Sequence, residues 1–131
     1  CVSGDASVLM NIQEMATATQ HCTPVKVVLC NNRHMGMVRQ WQELIHDGRY
    51  SHSYNDSMPD FVALAKAFGW QAERVEDPAG LESALARCLA SDGPYFLDVA
   101  VLAQENCFPM MPAGYGHQQV MLSEDTWYVE E

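Results

Sequence analysis

The sequence predicts an α/β fold, in which an open parallel sheet is flanked by helices. Two observations predict it: short apolar, β-branched runs alternate with stretches of helical periodicity, and glycine, proline or polar residues separate them. Because right-handed crossovers return each strand to the same direction, this order produces a parallel sheet. The 131 residues are enough for one compact domain with its own core.

The amino-terminal part predicts a strand, a helix and a second strand. The opening residues lead into Gly4-Asp5, an order that indicates a strand turning directly into a helix. Residues 7–20 are predicted to form one amphipathic helix, whose apolar positions at helical spacing are Leu9, Ile12, Met15 and Ala16. The run VKVVLC at 25–30 predicts a buried parallel strand that ends at Asn31-Asn32.

The same alternation continues towards the carboxyl end. Helical spacing and end signals predict three more helices: one over 36–45 before Gly48, one between Pro59 and Gly69, and one after Asp77-Pro78. Two more strands are predicted over 70–75 and 95–101. Prolines and glycines after Leu102 predict loop-like chain without regular structure.

Composition argues against several classes of protein. A net charge of -10 with only 7 basic residues does not fit the Lys/Arg surface that nucleic-acid backbones require. The 5 cysteines form no CxxC pair, so we expect neither a disulfide framework nor a zinc cluster, and we expect a reducing cytoplasm. No stretch approaches the roughly 20 apolar residues of a membrane-spanning helix, and no membrane partner is expected. The chain opens at Cys1 without a lead-in element, which predicts a piece truncated at its N-terminal end.

Two polar side chains follow neighbouring strands of the predicted sheet. Asp5 follows the first strand and Asn32 follows the second, and ligands collect at the carboxyl ends of such strands. Carboxylate and amide oxygens are ligands that Mg²⁺ prefers, and Mg²⁺ takes its remaining ligands from phosphate and water. If the two strands are adjacent, the pair predicts a magnesium-diphosphate site, with a helix amino terminus beside it.

Longer segments carry a family resemblance. Gly4-Asp5-Ala6-Ser7 followed by Asn31-Asn32 resembles the GDG…NN signature of thiamine-diphosphate enzymes. The strings LMNIQEMATA, TPVKVVLCNN, GMVRQWQ, RYSH, PDFVALAKAFG, DGPYFLDV and PMMPAG resemble, in matching order, the carboxyl-terminal domain of acetolactate synthase catalytic subunits. The resemblance implies a partial thiamine-diphosphate-binding domain over 1–114 and an acidic tail over 115–131.

The resemblance also implies site residues. Magnesium is expected to bind the side chains of Asp5 and Asn32 and the backbone carbonyl of His34, whose ring is expected to face solvent or substrate. The residues expected around the cofactor are Gly4, Asp5, Ala6, Ser7, Asn32, His34, Met35, Gly36 and Met37. Ala6 departs from the family pattern, because many members have glycine there. Met37 and Trp41 are expected to face the substrate channel, although their helical spacing also fits ordinary core packing.

The implied activity is the condensation of two 2-keto acids with decarboxylation, pyruvate with pyruvate or 2-ketobutyrate, in branched-chain amino-acid biosynthesis. The glutamate that activates the cofactor belongs to a separate amino-terminal domain in this family, so this chain is expected to hold no catalytic residue and to be inactive alone. FAD is expected in the full enzyme but not on this chain. The expected partners are the missing amino-terminal and middle domains, further copies in a homo-oligomer and a regulatory subunit.

Two alternatives remain open at this point. The first is another thiamine-diphosphate enzyme, such as a glyoxylate carboligase or a keto-acid decarboxylase, which would share Asp5 and Asn32; the segment GMVRQWQ favours acetolactate synthase. The second is a non-catalytic remnant, or one subunit of a split enzyme, which would bind the cofactor weakly or not at all when alone.

Overall fold

The computed structural model describes residues 1–129, and within them the predicted α/β fold is confirmed. Four strands form one parallel sheet in the order β1-β2-β4-β3. They are β1 (Val2–Gly4), β2 (Lys26–Asn31), β3 (Gln71–Val75) and β4 (Tyr95–Ala100). The strands that precede the two predicted metal ligands, β1 and β2, are therefore neighbours.

The α-helices of the described residues are α1 (Asp5–Val8), α2 (Glu14–Gln20), α3 (Gly36–Leu44), α4 (Phe61–Ala67) and α5 (Leu81–Ala90). Asp60 caps α4 by accepting a hydrogen bond from the Ala63 amide at 2.9 Å. Gly69 ends the same helix with a φ of 83°, a backbone conformation that favours glycine. The sequence predicted this glycine stop but not the aspartate cap.

The single helix predicted over 7–20 is wrong, because the chain forms α1 and α2 with a turn between them. Through this turn the amides bond three residues back: Met10 to the Ser7 carbonyl at 3.2 Å, and Asn11 to the Val8 carbonyl at 3.0 Å. These hydrogen bonds span three residues instead of four, so they tighten the backbone and interrupt the α-helix. Helical periodicity does not reveal such a break.

Residues 1–34 and 54–103 form one compact unit, which contains the sheet. One face of this sheet packs on α2 and α4 through a buried cluster of Met15, Ala18, Val27, Leu29, Phe61, Ala65, Trp70 and Phe96. The other face packs on α5 through Val75, Ala84, Cys88, Tyr95 and Leu97. Burying each large apolar side chain contributes roughly 1.5 to 3 kcal/mol, so the two layers fix the sheet and its carboxyl edge.

The second unit comprises Met35–Ser53 and the described residues from Gln104 onward. It contains α3 and an antiparallel hairpin of β5 (Gln119–Met121) and β6 (Trp127–Val129). The prediction of loop-like chain after Leu102 is therefore wrong for these strands, in which β-branched and aromatic residues pair across the ladder. Glu124 and Asp125 occupy the turn of the hairpin, and residues 130–131 of the predicted acidic tail lie outside the described residues.

Helix α3 buries polar residues within the second unit. Arg39 and Gln40 are 3% and 1% exposed, whereas Met37 and Val38 are exposed. The Gln40 side chain donates to the Cys107 carbonyl at 3.0 Å and accepts from the Cys107 amide at 2.8 Å. Helical spacing thus predicted α3 correctly, but the apolar face is not its buried face.

Candidate functional site

The predicted metal ligands follow two adjacent, parallel strands of the first unit. Gly4 of β1 pairs with Cys30 of β2, so Asp5 and Asn32 leave the same edge of the sheet beside each other. Residues 32–34, here called the Asn32 loop, follow β2 directly. The structure therefore brings Asp5 next to the Asn32 loop, as the sequence predicted.

Asp5 is bonded to the chain around it. Its side chain is 1% exposed, Oδ1 accepts from the Ala6 amide at 2.6 Å, and Oδ2 accepts from the Arg33 amide at 2.5 Å. Each carboxylate oxygen can accept more than one bond, so both oxygens retain capacity for a cation. The second contact joins Asp5 to the middle of the Asn32 loop.

The Asn32 loop is also bonded internally. Asn32 Oδ1 accepts from the His34 amide at 3.0 Å, and His34 Nδ1 donates to the Asn32 carbonyl at 2.8 Å. The His34 ring is half-buried, 5.0 Å from the Tyr54 ring. One ring nitrogen thus bonds to its own loop, and the expectation that the ring faces solvent or substrate stays a prediction.

Arg33 holds the sharpest bend of the loop. Its φ is 58°, a left-handed conformation that costs a residue with a side chain about 1 to 2 kcal/mol. The bend directs the Arg33 amide to Asp5, while the guanidinium donates to the Asp56 carbonyl at 2.6 Å and lies over the Tyr54 ring. These contacts offset the cost of a conformation that the Asp5 contact requires.

The residues expected around the diphosphate begin α1. Gly4 and Ser7 are exposed and Ala6 is half-buried. Gly4 has an ordinary φ of -84°, and a Cβ added there would meet only Ser7 Oγ at 3.8 Å. The chain itself therefore has room for alanine at this position, and its own packing does not explain the glycine.

Other expected site residues lie in the second unit. Met35 precedes α3, Gly36 is its first residue, and the Met35 amide donates to the Ser53 carbonyl at 2.8 Å. Trp41 is half-buried and Met37 is 51% exposed. Both line a groove of about 450 Å³ together with Val38, Gln42 and His46. Their contacts with cofactor or substrate remain predictions.

A buried polar pair, Asn31 and Asp98, adjoins the Asn32 loop and was not predicted from the sequence. Asn31 is 7% exposed and Asp98 is 1% exposed, and Asn31 Nδ2 donates to Asp98 Oδ1 at 3.0 Å. Burial raises the pKa of the Asp98 carboxyl above its ordinary value. The signal was present in YFLDVA, where a single carboxylate interrupts an otherwise apolar strand.

Comparison with known proteins identifies the family of this domain. The family described as thiamine pyrophosphate enzyme, C-terminal TPP binding domain, matches residues 1–99. The chain belongs to this family. The match contains β1, β2, β3 and all of β4 except Ala100, together with Asp5 and the Asn32 loop, so thiamine diphosphate is the cofactor of this domain family.

Individual relatives are similar to this chain over nearly all of its length. The chain is 48% identical over 92% of its length to the acetolactate synthase large subunit of Parasynechococcus marenigrum (strain WH8102). It is 46% identical over 95% of its length to the acetolactate synthase isozyme 3 large subunit of Escherichia coli (strain K12). It spans only 20% and 22% of the lengths of these two relatives.

Among the described residues, no helix is both long and apolar enough to cross a membrane.

Proposed function

We propose that this chain is the cofactor-binding part of an acetolactate synthase that joins two 2-keto acids with loss of carbon dioxide. The supporting observation is its 46% and 48% identity, over almost its whole length, to proteins named acetolactate synthase large subunits. Pyruvate is the proposed first substrate, and pyruvate or 2-ketobutyrate the second. The proposed setting is branched-chain amino-acid biosynthesis in the cytoplasm.

Magnesium is proposed to bind Asp5, Asn32 and the backbone carbonyl of His34. The donor atoms fit this ion, since all three are oxygens and Mg²⁺ prefers oxygen ligands. Asp5 supplies the charge that attracts the cation, and its bonds to the Ala6 and Arg33 amides hold the carboxylate in one orientation. A bound cation would screen this carboxylate from the diphosphate, which would otherwise be repelled.

The diphosphate is proposed to lie against Gly4, Ala6 and Ser7. The room for a Cβ at Gly4 supports this proposal, because a glycine without a packing reason permits close approach of a ligand. Met35, Gly36 and Met37 follow the Asn32 loop in sequence and remain the proposed residues around the thiazolium ring. Met37 and Trp41 remain the proposed channel residues.

The bound cofactor supplies the carbon nucleophile for decarboxylation and carbon–carbon bond formation. The chain's own residues bind and orient it. We propose that the activating glutamate and the FAD site belong to domains within the other four fifths of the relatives' length, which this chain does not span. The remaining proposed partners are further copies of the enzyme and a regulatory subunit.

A hybrid enzyme tests this function. The chain replaces the matching 127 residues of the E. coli isozyme 3 large subunit, and acetolactate formation from pyruvate is measured after purification from cells that lack other synthases. We expect the hybrid to be active and the isolated chain to be inactive. A folded hybrid that binds thiamine diphosphate but forms no acetolactate would contradict the proposed reaction.

A further inference from the structure

The carboxyl end of β2 is tied to β4 by both main chain and side chain. The Val101 amide donates to the Asn31 carbonyl at 3.1 Å, and Asn31 Nδ2 donates to Asp98 Oδ1 at 3.0 Å. In the register of the two strands, Asn31 pairs with Ala100 and Leu29 with Asp98. Asn31 and Asp98 therefore project from the same face of the sheet, on adjacent strands.

The Asn31–Asp98 pair holds the two strands together at a cost in desolvation free energy. Both side chains are at least nine-tenths buried, and Asn31 Oδ1 and Asp98 Oδ2 have no hydrogen-bond partner among the described residues. The charge on Asp98 is met by Arg74 of β3, whose Nη1 lies 3.6 Å from Oδ2. Apolar residues of similar volume often replace buried polar pairs without loss of stability. Strand packing alone therefore does not explain an amide and a carboxylate at these positions.

The pair lies directly beside the loop that carries the proposed metal ligands. Asn31 is bonded covalently to Asn32, whose Oδ1 accepts from the His34 amide at 3.0 Å. The next residue, Arg33, donates its amide to Asp5 Oδ2. A shift or rotation of Asn31 would displace both of these hydrogen bonds, because only one or two residues lie between it and their donors.

We propose that Asn31 and Asp98 are positioning residues, which hold the Asn32 loop so that Asn32 and Asp5 converge on one cation. The inference rests on the proposed magnesium site for its functional meaning. Its structural content, the anchoring of the loop by the Asn31–Asp98 bond, is measurable without any ligand. Neither residue touches the cofactor in this proposal, and both act through Asn32.

Amide hydrogen exchange in the whole chain, without metal or cofactor, tests the anchoring. The reporters are the Arg33 and His34 amides, which bond to Asp5 and Asn32. Asp98→Leu removes the acceptor at similar volume, and we expect both reporters to exchange at least about tenfold faster relative to sheet amides. Asp98→Asn keeps a side-chain carbonyl oxygen that can accept from Asn31 Nδ2. We expect this variant to restore slow exchange at both reporters.

Leu97→Ala is the matched control, because Leu97 is fully buried on the same strand but packs on α5 at the opposite face. It should destabilise the whole domain while leaving the ratio of reporter to sheet exchange near that of the parent. If Asp98→Leu does not fold, Asn31→Ser removes the amide donor in its place. An unchanged ratio in the folded variant, or a ratio that rises equally in Leu97→Ala, would overturn the proposal. An inactive hybrid enzyme would overturn the proposed function and leave this exchange result standing.

Discussion

The main-chain amide of Arg33 donates to Asp5 Oδ2 at 2.5 Å, which links the loop after β2 to the first residue after β1. Arg33 adopts a left-handed conformation to make this bond. Asp5 therefore holds the Asn32 loop through a direct hydrogen bond, and the two segments that carry the proposed metal ligands are joined to each other.

Replacing Gly4 by alanine should separate folding from cofactor binding. The backbone at Gly4 has an ordinary φ, and the new Cβ would meet only Ser7 Oγ at 3.8 Å. We expect the free energy of unfolding of the chain to stay within about 1 kcal/mol of the parent. In the hybrid enzyme, the Kd for thiamine diphosphate should rise at least about tenfold, because the methyl group obstructs the diphosphate.

Gly93→Ala is the control for this variant, since a Cβ at Gly93 would meet nothing within 4 Å. Thermal unfolding and calorimetric titration should show neither property changed. Equal cofactor affinity in Gly4→Ala and the parent would remove Gly4 from the proposed diphosphate contacts.

The Tyr95 hydroxyl should make the free energy of unfolding depend on pH in the alkaline range. Burial, with a hydrogen bond donated to Glu73 Oε1, raises the pKa of Tyr95 to about 12. A raised pKa means that the folded state holds this proton more tightly than the unfolded chain does. The contribution of this proton to the free energy of unfolding is complete below the unfolded-state pKa of about 10. It is lost as the pH rises towards about 12.

Urea unfolding of the chain at several pH values measures this effect. Between about pH 9 and about pH 11 the parent should lose about 1 kcal/mol more stability than Tyr95→Phe, which has no hydroxyl to titrate. Tyr54→Phe changes an exposed tyrosine and should follow the parent curve. Parallel curves for the parent and Tyr95→Phe would show that the hydroxyl does not contribute in this way.

Trp41 should determine the choice of the second keto acid. It is half-buried and lines the groove on α3 with Met37, so a leucine would enlarge the space beside that helix. In the hybrid enzyme, Trp41→Leu should change the ratio of kcat/KM for 2-ketobutyrate and pyruvate by roughly tenfold, the effect of about 1.4 kcal/mol. Competition assays with both substrates measure this ratio.

Trp70→Leu is the matched control for Trp41→Leu. Trp70 is 5% exposed, and its Nε1 donates to the Met15 carbonyl at 3.1 Å. Trp70→Leu should cost up to about 3 to 5 kcal/mol of stability and leave the substrate ratio unchanged. If Trp41→Leu behaves like Trp70→Leu, Trp41 is a packing residue and the channel assignment is wrong.

The sequence was sufficient to predict the sheet because strands that helices cover on both faces have a recognisable apolar composition. Residues 25–30 and 95–101 are apolar apart from Lys26 and Asp98, which indicates parallel strands covered by helices on each side. The adjacency of Asp5 and the Asn32 loop followed once β1 and β2 were taken as neighbours. These inferences depend on local pattern and on the rules of chain crossover.

The features that were missed depend on contacts between distant residues. The buried face of α3 is polar because Gln40 bonds to Cys107, far along the chain within the same unit. The role of Asp98 is visible only beside Asn31, which the sheet register places next to it. Apolar periodicity does not encode such specific hydrogen bonds, although the carboxylate in YFLDVA was an available signal.

Magnesium-dependent binding of thiamine diphosphate is the most direct test of the account. The hybrid enzyme is stripped of metal, and cofactor binding is titrated by calorimetry with and without Mg²⁺ in the parent, Asp5→Ala, Asp5→Asn and Asp56→Ala. The last changes an exposed carboxylate of the same unit as the control. We expect binding only with Mg²⁺ in the parent and in Asp56→Ala, and a Kd at least about tenfold higher in both Asp5 variants. Folded Asp5 variants that bind the cofactor as tightly as the parent, or a parent that binds equally well without Mg²⁺, would contradict the proposed site.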